Sequence, residues 1–219
     1  MVVHCKKEKY DIYIGRPSIW GNPFKISDGI ARLDSIDLYR HWLLKKPNLL
    51  AKLPDLRGKV LGCYCSPLAC HGDVLEYFAN LEKVTNFRGE FFFLSNFYKS
   101  PVENYPTAEH AYQAGKTKSK AERNYIKRLD SPGKAKRAGR KVTLRSDWDS
   151  KKLRVMYKVV KKKFSEKKMA CALLSTCKAK LVEENTWNDT YWGVCNGEGK
   201  NHLGKILMRV REEIRQEYL

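Results

Sequence analysis

The 219-residue chain contains 43 Lys and Arg against 24 Asp and Glu, a formal net charge of +19, and 42% of its residues are hydrophobic. This apolar content excludes a wholly disordered chain, and the length fits one large domain or two small ones. We find no run of 18 apolar residues and no signal-peptide core, which argues against a membrane span or a secreted protein. We therefore expect a cytoplasmic protein with no membrane contact, whose seven cysteines are reduced thiols.

The positive charge is concentrated in the second part of the chain. Residues 1–80 carry 12 Lys and Arg against 8 Asp and Glu, so that residues 81–219 hold 31 of the 43 basic and 16 of the 24 acidic residues. A strong positive field attracts polyanions and raises the rate at which they are encountered. The charge favours a phosphate-bearing substrate and contact with DNA, although solvated helix faces such as residues 161–163 account for part of it.

The first part, residues 1–82, is predicted to be a small α/β domain. We expect strands near residues 12–15 and 59–64, and helices near residues 34–45 and 70–80. Glycine and proline punctuate the loops between them, as in RPSIWGNPF. Strands that alternate with helices indicate a small α/β unit.

The segment GCYCSPLACHGD joins the second strand to the second helix and contains Cys63, Cys65, Cys70 and His71. Its C-x-C-x₄-C-H spacing differs from the paired C-x₂₋₄-C of structural zinc sites, and adjacent Cys and His ligands are geometrically awkward. We therefore predict neither a metal nor a cofactor. Zinc stays an alternative, as does a nucleotide-type pocket in which His71 and Asp73 bind a polar ligand. A plain helix cap by Asp73 is the simpler interpretation.

The second part, residues 83–219, is predicted to be mostly helical. The apolar string FRGEFFFLSNFY suggests a short strand and a turn. Helices should begin near Ala108 after a Thr107 cap, near Pro132 after Ser131, and near Asp147. A last amphipathic helix follows from the apolar stripe Leu203, Ile206, Leu207, Val210 and Ile214.

Glu109 is predicted to lie in the first turn of the helix that begins at Ala108. The helix dipole stabilises a carboxylate there by roughly 0.3–1 kcal/mol. By itself, this position indicates only a favourable charge at the N-terminus of the helix and no catalytic role.

Four segments of the second part follow one another as in a known family. They are NFRGEFFFLSNFYKSPVENYPTAEHAYQAGK, SPGKAKRAGR, SDWDSKKLRVMYKVVKKKF and LLSTCKAKLVEENTWNDTYWGVCNGEGKNHLGKILMRVRE. In order and spacing they resemble the NADAR family, also called YbiA-like. In the first part, GRPSIWGNPF and GKVLGCYCSPLACHGDVL resemble an uncharacterised domain that occurs beside NADAR domains in phage and bacterial proteins.

The resemblance implies a mostly helical domain that cleaves N-glycosidic bonds to ribose, with the glutamate of PTAEHAYQA, here Glu109, as the catalytic residue. Such cleavage passes through an oxocarbenium-like state. A carboxylate about 4 Å from its positive charge stabilises it by roughly 4 kcal/mol at an effective dielectric constant of about 20. A general base contributes about 10²–10⁴-fold. Both roles stay open for Glu109.

The family pattern also suggests aromatic and acidic contacts to the substrate. Trp148 and Trp192 occupy positions where they could stack on a base, and Gly193, which follows Trp192, is predicted to contact the substrate as well. A place in the core is the alternative for each tryptophan. Asp189 is predicted to be a second catalytic acid or a partner of the ribose hydroxyls, with a turn cap as the alternative.

Amide and basic side chains complete the predicted site. The amides of Asn96 and Asn201 suit ribose hydroxyls or a base edge, although Asn201 could instead cap the last helix. Lys116 and Arg140 lie where the family pattern has basic residues that would bind phosphate.

These features together predict an N-glycosidase that removes ADP-ribose from ADP-ribosylated guanine in DNA. Two alternatives stay open. One is a glycosidase acting on phosphorylated intermediates of riboflavin biosynthesis, and the other is a non-catalytic module that binds ADP-ribose or nucleic acid.

Overall fold

The computed structural model describes residues 1–26 and 29–219, and the chain folds as two compact units. The first unit comprises residues 1–83, 170–179 and 213–219, and the second comprises residues 84–169 and 180–212. Among the described residues, no helix is both long and apolar enough to span a bilayer. The predicted fold class, a mostly helical C-terminal part preceded by a small α/β part, is confirmed.

A parallel sheet organises the first unit. Its strands are β1 (Val2–His4), β2 (Ile12–Tyr13) and β3 (Leu61–Cys63), in the order β1-β3-β2. Both outer strands run parallel to β3. Because β3 is central, all three of its residues are buried.

The helices of the first unit are α1 (Arg32–Leu43), α2 (Pro47–Lys52) and α3 (His71–Ala79), and a 3-10 helix spans Leu53–Leu56. The N-terminus of α3 carries a capping box that Cys70 and Asp73 complete. The backbone N–H of Gly72 donates to Cys70 Sγ (3.2 Å), and that of Cys70 donates to Asp73 Oδ2 (2.8 Å). The Asp73 side chain therefore completes the cap of α3, as the simpler interpretation of the sequence predicted.

Helix α4 (Ala108–Ala114) is the centre of the second unit, and every one of its residues is buried. It packs against α5 (Lys120–Arg128), α6 (Pro132–Ala138) and α7 (Trp148–Lys163). The predicted starts of α4 and α6 are confirmed. The backbone N–H of His110 donates to Thr107 Oγ1 (3.4 Å), and that of Lys134 donates to Ser131 Oγ (3.3 Å).

The predicted strand and turn before α4 is wrong, because Gly89–Leu94 forms a 3-10 helix. An apolar run such as FFFL does not by itself distinguish a strand from a helical turn. Here the backbone bonds stay local: Phe91 N donates to Arg88 O (3.0 Å) and Ser95 N donates to Phe92 O (3.0 Å). The turn delivers Asn96 to the start of α4.

The rest of the chain adds α8 (Lys167–Leu174), α9 (His202–Tyr218) and four short strands. These are β4 (Lys83–Thr85), which pairs with β5 (Lys180–Val182), and β6 (Glu184–Asn185), which pairs with β7 (Val194–Cys195). The predicted last helix is confirmed as α9. In its stripe, Leu203, Leu207 and Val210 are fully buried.

Candidate active site

A pocket of about 530 Å³ opens in the second unit, beside the first turn of α4. It contains acidic, basic and aromatic side chains within one cavity, a composition typical of a site for a polar ligand with a flat ring. Its charged lining includes Glu109, Glu183, Asp189, Lys116, Lys136 and Arg140.

Glu109 lines this pocket although only 6% of its surface is exposed. Gln113, one turn later on α4, donates its Nε2 to Glu109 Oε1 (2.7 Å). Burial raises the pKa of Glu109, while the Gln113 hydrogen bond and the positive charges of Lys136 and Lys116 oppose the rise. A desolvated carboxylate of this kind interacts more strongly with positive charge than one in water does.

The position of Gln113 depends on a glycine. A Cβ at Gly139 would overlap Gln113 Oε1 and approach Gln113 Cδ to 2.6 Å and Gln113 Cβ to 2.8 Å. A change of rotamer does not relieve the contact with Cβ, because that atom is fixed by the backbone. Gly139 at the end of α6 therefore lets α4 and its Glu109–Gln113 pair approach closely.

Asn96 offers a buried acceptor to the pocket. Its Nδ2 contacts Met156 Sδ (3.4 Å), and its Oδ1 has no hydrogen-bond partner among residues 1–26 and 29–219. An unsatisfied buried acceptor costs about 1–3 kcal/mol, which a ligand hydroxyl that donates to it would recover. The structure thus places this predicted residue in the lining, with its carbonyl oxygen available.

Asp189 both caps a turn and lines the pocket. Its Oδ1 accepts from the backbone N–H groups of Tyr191 (3.1 Å) and Trp192 (2.8 Å). Asn185 secures the same loop, because its Nδ2 donates to Asp189 O (2.9 Å) and its Oδ1 accepts from Asp189 N (3.0 Å). The turn cap considered from the sequence is therefore present, and it fixes a carboxylate in the same cavity as Glu109.

Glu183 is a site residue that the sequence reasoning missed. It lies between β5 and β6 and lines the pocket. Burial, followed by the negative charges of Asp189 and Glu109, raises its pKa to about 7. The available signal was an acidic pair directly after the apolar residues of LVEEN, where a buried strand would bring a carboxylate inside.

The basic residues of the pocket lie near the carboxylates. Lys116 Nζ donates to Gly139 O (3.2 Å). Burial lowers the pKa of Lys116, the Glu109 carboxylate opposes this, and the charges of Arg140 and Lys136 add to it. The predicted Lys116 and Arg140 thus share one cavity with Lys136, which was not predicted.

The tryptophans divide into lining and supporting residues. Trp192 lines the pocket and meets the ring of Tyr112 edge-on, with centroids 5.4 Å apart. Trp148 is buried behind Tyr112, at 5.4 Å, and is not among the described lining residues. Trp187, which the sequence reasoning missed, lines the pocket, and Lys136 Nζ lies 5.7 Å from its ring centroid.

Gly193 and Asn201 lie outside the described lining and support Glu183 instead. A Cβ at Gly193 would overlap the carbonyl oxygen of Glu183 and approach Asn185 Nδ2 to 2.8 Å. Asn201 Nδ2 donates to Leu181 O (2.9 Å), and its Oδ1 accepts from the backbone N–H of Glu183 (3.2 Å). The side chain of Asn201 thus bonds the β5–β6 backbone.

Residues 80–215 match the family model described as the NADAR domain, and residues 3–81 match that of a domain of unknown function (DUF4326). The chain is 43% identical over 128 residues to N-glycosidase YbiA of Shigella flexneri serotype 5b, covering 55% of this chain and 79% of that protein. It is 40% identical over 124 residues to riboflavin biosynthesis protein PYRR of Zea mays, covering 50% of this chain and 20% of that protein. The NMR structure of E. coli YbiA superposes with a TM-score of 0.56 and 38% identity, covering 63% of this chain and 88% of that one. The chain therefore belongs to the NADAR family, as its sequence motifs predicted.

Proposed function

We propose that the protein is an N-glycosidase that removes ADP-ribose from ADP-ribosylated guanine in DNA. Glu109 carries the proposal, because a buried carboxylate in a cavity with basic and aromatic side chains suits a ribosyl cation. The name of the YbiA relative, an N-glycosidase, supports the reaction class. The riboflavin name of the maize relative favours a second candidate, a glycosidase for a phosphorylated biosynthetic intermediate.

The reaction breaks the bond between ribose C1′ and a nitrogen of the base. The bonding electrons go to the nitrogen, and C1′ gains positive charge, which the Glu109 carboxylate stabilises. Water then attacks C1′ and passes a proton to Glu109, while the departing nitrogen takes a proton from Glu183. The pKa of about 7 suits Glu183 to this role, because its acid form is well populated near neutral pH.

The rest of the pocket is suited to the other parts of this substrate. Lys116 and Arg140 supply positive charge for phosphate oxygens, and Trp192 offers a ring face for a base. The acceptor Oδ1 of Asn96 matches a ribose hydroxyl.

A second groove of the same unit supports DNA as the molecule that bears the ADP-ribosylated guanine. It shares Arg140 with the pocket and adds further basic residues and the aromatic residue Tyr125, which is 61% exposed. Its basic residues are Lys134, Arg137, Arg140 and Lys141. Basic side chains that flank an exposed ring are the elements that hold a single strand, where stacking contributes about 1–3 kcal/mol per base.

One comparison of turnover rates distinguishes the two candidate substrates. We expect an oligonucleotide with ADP-ribosylated guanine to be turned over faster than the phosphorylated riboflavin intermediates, with free ADP-ribose as the product detected by mass spectrometry. Faster turnover of the small intermediates would favour the riboflavin role. Binding of ADP-ribose without turnover of either substrate would indicate the non-catalytic module.

Reversing one charge in the groove tests the contact with DNA. We expect Arg137→Glu to weaken oligonucleotide turnover and to reduce the slope of log K against log salt by about 1, because one phosphate contact is lost. The matched control is Lys162→Glu, an exposed lysine outside both cavities. Equal salt slopes for the two variants would remove the groove from the DNA site.

Adding one methyl group at Gly139 tests the support of Glu109. We expect Gly139→Ala to lower kcat/KM by about 10–100-fold, because the new Cβ displaces the Glu109–Gln113 pair and a shift of about 1 Å suffices for such a loss. Gly133→Ala in α6, the helix that ends just before Gly139, is the control, since its Cβ meets no heavy atom within 4 Å among the described residues. It should keep full activity and gain roughly 0.5–1 kcal/mol of stability. Wild-type kinetics for Gly139→Ala would show that this close approach is unimportant.

A further inference from the structure

Three potential metal ligands converge in the first unit. The sulfurs of Cys63 and Cys70 and a ring nitrogen of His71 all lie within 4.8 Å of one another, and all three residues are buried. No disulfide occurs among the described residues, so both sulfurs can serve as ligands. None of these three residues lines the Glu109 pocket.

The side chains of the adjacent residues Cys70 and His71 point toward the same place because of their backbone conformations. Cys70 is the extended cap residue before α3, with φ −149° and ψ 158°, whereas His71 is the first helical residue. The change of conformation between them directs both side chains toward the end of β3, where Cys63 lies. The spacing was expected to be awkward for a metal, but this geometry removes the objection.

Bond lengths support the same arrangement. A tetrahedral zinc ion with Zn–S of about 2.3 Å and Zn–N of about 2.0–2.1 Å holds the sulfur and nitrogen about 3.5 Å apart. Cys70 Sγ and His71 Nδ1 are 3.6 Å apart. The pair therefore already has the separation that shared coordination requires.

A hydrogen bond on the far side of the imidazole sets its tautomer. His71 Nε2 lies 2.9 Å from the carbonyl oxygen of Ile14, which can only accept, so Nε2 carries the hydrogen and Nδ1 keeps its lone pair. Histidine ligands of metals commonly donate their other ring N–H to a backbone carbonyl in this way. The Nδ1 lone pair then faces the two sulfurs.

The cluster borders a cavity of about 400 Å³ in the same unit. Cys63 and His71 line it together with Arg16, Asn22 and the half-buried Cys65. We propose that Cys63, Cys70 and His71 bind a thiophilic divalent cation, Zn²⁺ above all, whose fourth position faces this cavity and takes water or a small anion. Catalytic zinc sites have three protein ligands and one open coordination position, whereas structural zinc sites have four protein ligands.

The first experiment uses the full chain, purified anaerobically, stripped of metal with a chelator and reloaded. We expect one zinc ion per chain, measured by inductively coupled plasma mass spectrometry. Cobalt loading should produce a thiolate-to-cobalt charge-transfer band and the intense visible bands of a tetrahedral ion. If cobalt-loaded wild-type protein shows no charge-transfer band, the proposal is overturned regardless of the results for the variants.

The variants assign the ligands. Cys63→Ser, Cys70→Ser and His71→Gln should each lose the tight equivalent, while Cys5→Ser, a half-buried thiol outside the cluster, should keep it. Circular dichroism of each variant separates the loss of a ligand from the loss of the fold. Cys65→Ser tests whether the fourth coordination position is open. A variant that keeps its zinc supports the open position. A variant that loses its zinc overturns the open position, because Cys65 would then be the fourth ligand.

Discussion

Glu109→Gln is expected to lower turnover of the N-glycosidic substrate by about 10³-fold or more. Glutamine keeps the shape of the side chain but neither stabilises positive charge at C1′ nor accepts a proton from water. Charge stabilisation of roughly 4 kcal/mol alone corresponds to about 10³-fold in rate. Single-turnover assays with detection of the released base measure the loss.

The same substitution is expected to leave stability unchanged or to raise it. Burial raises the pKa of Glu109 in the folded protein, so the stability that comes from its protonation is present below the unfolded-state pKa and is lost as pH rises. Glutamine does not ionise, so the gain in melting temperature should be larger at pH 8 than at pH 4. Glu198→Gln, an exposed carboxylate of the same unit, is the control. Substantial turnover by Glu109→Gln, or unfolding of that variant at pH 8, would contradict the assignment.

Glu183→Gln is expected to change the pH dependence of turnover. With a pKa of about 7, the wild-type Glu183 loses its proton as pH rises through neutrality. The wild-type rate should therefore fall above pH 7. The variant, lacking this proton donor, should be slower by about 10²-fold at pH 6 and should show no such descending limb. A kcat profile between pH 5 and 9 for both proteins measures this.

Stability supplies an independent measurement for Glu183. A rise in pKa from 4.5 to about 7 corresponds to a penalty of up to about 3 kcal/mol when the group is ionised. That penalty is absent below pH 4.5 and grows as pH rises toward 7, so denaturant unfolding should show Glu183→Gln more stable than wild type at pH 8. If both proteins share one descending limb and one stability profile, Glu183 is not the proton donor.

Helices α4, α6 and α9 were predictable because their signals are local, whereas α5 was not predicted from the sequence. Thr107 and Ser131 cap helices through their own neighbours in sequence, and the α9 stripe repeats at the period of a helix. The NADAR motifs likewise marked Glu109, and the structure places it in one cavity with Asn96, Lys116, Arg140, Asp189 and Trp192.

The sequence by itself determined the family, the order of the main helices and the position of Glu109, because each depends on short-range patterns. Only the tertiary structure decided which of the predicted side chains share its cavity and which unpredicted ones join them. Glu183 and Lys136 join it from distant segments, while Trp148 lies behind Tyr112. The Cys63–Cys70–His71 cluster has the same origin, because a change of backbone conformation at the start of α3, invisible in the spacing, turns two adjacent side chains toward one point beside β3.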